Sequence, residues 1–188
     1  RDHDRFQRVE LNGGRNLDVR YIFEDSGGKI WVATHEGIWV LDAGTKQTIA
    51  RYNTSNCQLP EDQVRSIEQD RLGRMWIGTF GLGLAVFTPD MQLLDNFNEY
   101  TNFCSNTINH IFMDSRGEVW VATGEGLVRF AGDDSFHYEV FSRDDGLNNT
   151  HIRAITEDAA GNIWFSSNEG ITCYLREQET FLNYHLID

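Results

Sequence analysis

Val19-Arg20-Tyr21-Ile22-Phe23-Glu24-Asp25-Ser26-Gly27-Gly28-Lys29-Ile30-Trp31-Val32-Ala33-Thr34 is the stretch that decides the reading of this chain, because it recurs three more times. The shared core is Asp-x-x-Gly-x-apolar-Trp, and its tryptophans, Trp31, Trp76, Trp120 and Trp164, lie 45, 44 and 44 residues apart. Asp25, Asp70, Asp114 and Asp158 keep those intervals, as do Gly28, Gly73, Gly117 and Gly161. An isoleucine stands three residues before each Asp (Ile22, Ile67, Ile111, Ile155), and a hydroxyl three after each Trp (Thr34, Thr79, Thr123, Ser167). Four copies in register make one repeating unit, and such a period must be read before any local feature.

Within a copy, short apolar runs alternate with turn residues, which predicts strands. The first copy divides into strand A at Val19–Glu24, B at Ile30–Thr34, C at Ile38–Leu41 and D at Thr48–Tyr52. The Asp-x-x-Gly turn joins A to B: the carboxylate can accept nearby N–H groups while Gly supplies a positive φ. The position two after Trp is always small (Ala33, Gly78, Ala122, Ser166) and shares a strand face with the Trp, leaving room for aromatic packing against the next unit. Four strands per copy at a period near 44 predict an all-β fold of β-propeller blades, each a four-stranded antiparallel sheet. The blades fall at about 16–60, 61–104, 105–148 and 149–188, with residues 1–15 a D strand (5–11) and linker left from a preceding blade. The fourth copy carries its own D strand at Thr180–His185. This pattern reads as a segment of a longer ring, as does an opening at Arg1 without Met or signal peptide; closure of four blades by themselves is the less favoured alternative. Open end faces are large enough apolar patches to pair with a second copy, completing an eight-bladed ring from two chains.

At 188 residues with net charge −13, the chain is poorly suited to phosphate backbones or anionic membranes, so no nucleic-acid partner is expected. The acidity favours a neutral or cationic ligand over a sulfated one. Cys57, Cys104 and Cys173 form no disulfide or zinc pattern. His3, His35, His110, His137, His151 and His185 share no metal-ligand spacing, and no catalytic or phosphate-cradling motif occurs, so neither metal nor cofactor is expected.

The pattern Val19-Arg20-x-Ile22-x-Glu24-Asp25 through Trp31-Val32-x-Thr34-x-x-Gly37-Ile38 resembles the two-component regulator propeller repeat, and the other copies end alike in Gly83-Leu84, Gly126-Leu127 and Gly170-Ile171. The resemblance covers residues 16–188. It implies a seven-bladed propeller in the periplasmic part of a bacterial hybrid two-component sensor, one that detects polysaccharide fragments and relays them to a histidine kinase. It also implies further blades and signalling domains as partners. A streptogramin-lyase type of propeller enzyme, or a purely structural module, is the alternative.

Antiparallel order puts the B–C and D–A loops on one face, where propellers place ligands. Strand A begins there with Arg20, Arg65, Asn109 and Arg153, a polar ring able to bind sugar hydroxyls or a uronate carboxylate, or else to pair with neighbouring blades. Residues that break the repeat are the better candidates, since the scaffold does not need them: His35 with Glu36, Phe80 in a loop one residue longer than the others, His110, and Trp39, whose strand position equally suits the core.

Overall fold

A computed structural model describes Leu11 and residues 16–184. Each repeat is organised by its Asp-x-x-Gly turn. Asp25 Oδ1 accepts the N–H groups of Gly27 and Lys29 at 2.9 Å, and Oδ2 accepts Trp31 Nε1–H at 2.8 Å. Asp70, Asp114 and Asp158 repeat the arrangement, with indole bonds of 2.7, 2.8 and 2.8 Å to Trp76, Trp120 and Trp164. The turn glycines have φ between 76° and 88°, a conformation that costs a residue bearing Cβ. One carboxylate thus closes the turn and satisfies the indole donor that burial would otherwise strand.

Around these turns the described residues form sixteen strands. The first sheet contains β1 (Val19–Glu24), β2 (Lys29–Thr34), β3 (Gly37–Asp42) and β4 (Thr48–Tyr52). The second contains β5 (Val64–Gln69), β6 (Met75–Thr79), β7 (Leu84–Phe87) and β8 (Leu93–Phe97). The third contains β9 (Ile108–Met113), β10 (Val119–Thr123), β11 (Leu127–Phe130) and β12 (Tyr138–Phe141), and the fourth β13 (Ile152–Glu157), β14 (Ile163–Ser167), β15 (Gly170–Leu175) and β16 (Thr180–Tyr184). Every sheet is antiparallel in sequential order, as the repeat predicts. The inner strands β1, β5, β9 and β13 neighbour one another in turn, and the fourth strand of each sheet lies farthest out. The hydroxyl after each Trp closes the B–C loop, with Thr34 Oγ1 donating to the Gly37 carbonyl at 2.8 Å and accepting the Glu36 N–H at 3.0 Å.

The core lies between sheets. Trp31 packs with Val64, Ile67, Met75 and Ile77 of the second sheet, Trp76 with Ile108, Ile111, Val119 and Val121 of the third, and Trp120 with Ile152, Ile155 and Phe165 of the fourth. Trp76 and Trp120 are 1% and 0% exposed. Leu59, Phe103 and Leu147 in the D–A loops plug the same three junctions.

The small residue two after each Trp serves an aliphatic neighbour rather than the aromatic one the sequence suggested. A Cβ at Gly78 would sit 2.4 Å from Ile108 Cγ2 of the next inner strand. At the first junction the corresponding pair is Ala33 with Val64, one methyl exchanged for another. Gly78→Ala should therefore cost about 1–3 kcal/mol by overpacking, and less than that in an Ile108→Ala background, where Cγ2 is gone. Urea unfolding of the two single variants and the double variant measures this coupling; additive effects would contradict the contact.

The end sheets differ from each other. Leu11 and Leu17 pack over Val32, Trp39 and Leu41 on the outer face of the first sheet, so Trp39 is a core residue. Val19 and Ile22, equivalent to the buried Val64 and Ile67, are 43% and 62% exposed there. The D strand expected at 5–11 lies, apart from Leu11, outside the described residues, as does His185 of the last strand. On the far side of the fourth sheet, Ala154, Ile155, Thr156, Trp164, Phe165, Ser166 and Ile171 line an open apolar groove of about 380 Å³. Trp164 is only half-buried, stacked on Tyr184 of its own sheet at 5.5 Å.

Candidate ligand-binding site

The polar ring is built by a backbone irregularity that occurs in all four inner strands. Val19 pairs with Thr34 and Tyr21 with Ala33, so Arg20 has no partner across the ladder. The same slip leaves Arg65, Asn109 and Arg153 unpaired in β5, β9 and β13. A bulge of this kind re-aims a side chain, which explains why these four share one setting at the start of each inner strand.

Their partners then diverge. Arg65 Nη1 donates to Asn109 Oδ1 at 2.6 Å, and Asn109 Nδ2 donates to the Ile152 carbonyl at 2.7 Å, so two ring members bridge to the next blade. Arg153 Nε donates to Asn168 Oδ1 at 2.7 Å within its own sheet, and Arg20 is paired with Asp18. Asn168 belongs to a loop position also held by His35, Phe80 and Gly124; in the first three sheets its N–H continues the ladder, bonding Asp18 O, Gln63 O and Thr107 O at 3.0–3.2 Å. A constant backbone thus presents a variable side chain beside each bulge residue.

Between the first two blades these features converge. Arg20, His35, Gln63, Val64, Arg65 and Phe80 line a cleft of about 140 Å³ where β1 and β5 begin. Phe80 is 46% exposed, and the Arg65 guanidinium lies over its ring at 4.3 Å. Glu61 holds the Phe80 loop in place by accepting the N–H groups of Gly81 and Leu82. His35 Nδ1 accepts the Asp18 N–H at 3.1 Å, and Nε2 faces Glu36 at 3.6 Å. Glu36 also meets Arg51 at 3.5 Å. Burial, followed by repulsion from Arg20, lowers the Arg65 pKa.

His110 sits one residue deeper than the ring. Its Nδ1 accepts the Ile155 N–H of the next inner strand at 3.1 Å, its ring meets Tyr21 edge-on at 5.5 Å, and burial lowers its pKa. Ser66 makes the equivalent bridge in the preceding blade, taking the Ile111 N–H at 2.9 Å. Glu68 adds a bond to the Met113 N–H, and burial pushes its carboxyl up to about 7.

The Glu68 carboxyl is thus more easily protonated in the folded chain than in the unfolded one. Its contribution to stability is full below the unfolded value and is lost as pH rises through about 7. Glu68→Gln should be the more stable protein at about pH 8, by an amount on the order of 1–3 kcal/mol that shrinks toward about pH 5. Urea midpoints at the two pH values check this; an equal difference at both would contradict it.

Four-stranded antiparallel sheets stacked side by side on their inner strands define a β-propeller fold. The chain belongs to the two-component regulator propeller family, whose repeat profile matches residues 13–36, 58–81, 102–125 and 146–169, about half of the chain. It is similar to the extracellular domain of the putative hybrid two component system BT3049 from B. thetaiotaomicron, at 54% identity and a TM-score of 0.92, over 96% of this chain and 24% of that one. The extracellular domain of BT4673 from the same organism, also a putative hybrid two component system, aligns over 90% of this chain and 24% of its own, at 21% identity and a TM-score of 0.74. A virginiamycin B lyase from Staphylococcus aureus shares the fold alone, at 13% identity and a TM-score of 0.75 over 96% of this chain and 59% of that one. The chain spans about a quarter of the length of the two extracellular domains. No curated protein matches it. Among the described residues no helix is long and apolar enough to cross a membrane.

Proposed function

We propose that the chain is the ligand-sensing segment of an extracytoplasmic, periplasmic propeller in a hybrid two-component sensor, binding an oligosaccharide at the channel mouth and passing occupancy to a histidine kinase. One observation carries this reading: the bulged ring residues and the repeat-breaking loop residues meet in a single cleft, at Arg20, His35, Arg65 and Phe80. Aromatic faces and fixed hydrogen-bond donors in a shallow, solvent-open cleft suit a polyol that presents both apolar C–H faces and hydroxyls. Binding is favoured over acid–base chemistry because His35 Nδ1 already accepts a backbone N–H, so its remaining proton sits on the nitrogen facing Glu36. Titration of the chain with a panel of neutral and acidic oligosaccharides by calorimetry tests the reading. Binding that weakens roughly tenfold or more in Phe80→Ala supports it; no heat from any member of the panel would overturn it and favour a structural module.

The groove on the fourth sheet fits the same picture of a larger ring. At each internal junction the equivalent surface receives an inner strand bearing Val or Ile at two positions, as with Ile108 and Ile111. Leu11 and Leu17 already cover Val32, Trp39 and Leu41 on the opposite end face, so we take the occupant to be a further blade of the receptor rather than a second copy. Sedimentation of the chain as a monomer at high concentration supports that choice, and a tight dimer lost in Ile171→Lys would overturn it.

A further inference from the structure

The oligosaccharide reading leaves the chemical class of the ligand open, and the electrostatics of the cleft narrow it. Net charge is −13, yet the acidic groups around this cleft are committed elsewhere. Asp18 holds Arg20, Glu36 meets Arg51 and His35, and Glu61 is spent on the backbone of Gly81 and Leu82. Arg65 makes no close ion pair among the described residues, Glu61 acting on it only at longer range; a single N–H, on Nη1, is engaged by Asn109, and its flat face rests on Phe80. Arg20 comes from the neighbouring blade and repels it across the cleft.

Two guanidinium groups from adjacent blades, both set by bulges, face one opening. Arg20 is held from one side by Asp18 and Arg65 makes no close ion pair among the described residues, so the Arg65 fork is the point that stays open to an anion. A carboxylate between them would accept from both forks while removing their mutual repulsion. Phe80 offers an apolar platform beside that point, and His35 borders the cleft on the Arg20 side. A free small anion would use the guanidinium pair and leave the Phe80 platform idle, whereas an acidic sugar uses both.

We propose that the cleft binds an acidic oligosaccharide, seating a uronic acid carboxylate between Arg20 and Arg65 with the sugar ring against Phe80. This rests on the reading of the cleft as an oligosaccharide site, and it departs from the neutral or cationic ligand that total charge suggested. Local commitment of carboxylates, rather than their number, decides what the cleft accepts.

The test compares trigalacturonate with its fully methyl-esterified, uncharged form by calorimetry on the chain. The acid should bind at least about tenfold more tightly than the ester, and its affinity should fall as salt is raised from about 50 to about 500 mM. Arg20→Gln, on an exposed side chain, should weaken the acid roughly tenfold and the ester far less. Arg116→Gln removes the same charge from an exposed turn on the opposite face and should change neither. Equal affinity for acid and ester, or equal effects of Arg20→Gln and Arg116→Gln, would overturn the acidic assignment while the oligosaccharide reading stands. Failure of both compounds to bind at about 5 mM would also overturn it; the broader reading falls only if the neutral panel fails as well.

Discussion

Replacing Trp120 by alanine should destabilise the chain by about 3–5 kcal/mol, the range for removing a buried aromatic that the surroundings cannot collapse upon. Trp120 is fully buried between the third and fourth sheets, against Ile152, Ile155, Phe165 and Tyr174, and its indole N–H is satisfied by Asp114. Its loss would open a cavity bounded by two separate sheets and leave Asp114 Oδ2 with Arg176 as its remaining side-chain donor. Trp164 occupies the identical repeat position, with the same bond to Asp158, but borders the open groove instead of a next sheet. Trp164→Ala should therefore cost only about 1–2 kcal/mol. Urea unfolding of the two variants side by side measures the difference. Equal losses would mean that the indole stabilises its own sheet and not the junction.

Asp114→Ala should be comparably damaging, at about 3–5 kcal/mol, because it breaks a buried ion pair from one side. Asp114 accepts the N–H groups of Arg116 and Glu118 and the Trp120 indole, and it is paired with Arg176 from the fourth blade. Arg176 is buried and, among the described residues, would keep only Glu118, at 2.6 Å, as a carboxylate partner. Burial pushes the Asp114 carboxyl up, but its bonds to Arg176 and Trp120 outweigh that and hold it below the ordinary value. Stability from this group is therefore present above the unfolded value and is lost as pH falls through the folded one. Asp114→Asn, which keeps an acceptor oxygen, should lose less at neutral pH and flatten the acid limb of the stability curve. A curve that stays parallel to that of the native chain would count against the pairing.

Much of this fold can be read directly from the primary structure. The Asp-x-x-Gly turns, the four strands of each unit and the sequence order of the sheets all follow from a period that puts Trp31, Trp76, Trp120 and Trp164 in register. The function of the Asp was only half legible. Turn closure was evident, but the second oxygen's bond to the indole six residues later needs the strand geometry, although the constant six-residue interval was visible. Tyr52, Phe97, Phe141 and Tyr184, and the loop plugs Leu59, Phe103 and Leu147, also recur at nearly constant spacing, but they fall outside the Asp–Trp core and no turn motif marks them.

The ring of Arg20, Arg65, Asn109 and Arg153 was legible as a set of equivalent positions, but not the bulge that orients it. A bulge depends on pairing between two strands, and no residue type in β1 or β5 announces it. Side-chain bridges between inner strands were likewise hidden. Ser66, Glu68 and His110 have nothing in common as residues, yet each accepts an N–H from the next inner strand. Repeat-breaking character drew attention to His110, and the geometry ties it to Ile155; that character also singled out Phe80 and His35, which border the cleft.

Native-state hydrogen exchange of the indole N–H groups tests the central claim, that each tryptophan is sealed by the sheet that follows it. All four repeat indoles donate to an Asp, so hydrogen bonding alone would protect them equally. Sealing by the next sheet predicts that Trp31, Trp76 and Trp120 exchange only through large-scale unfolding, while Trp164 exchanges much faster through local opening. Four indoles exchanging at one rate would contradict it.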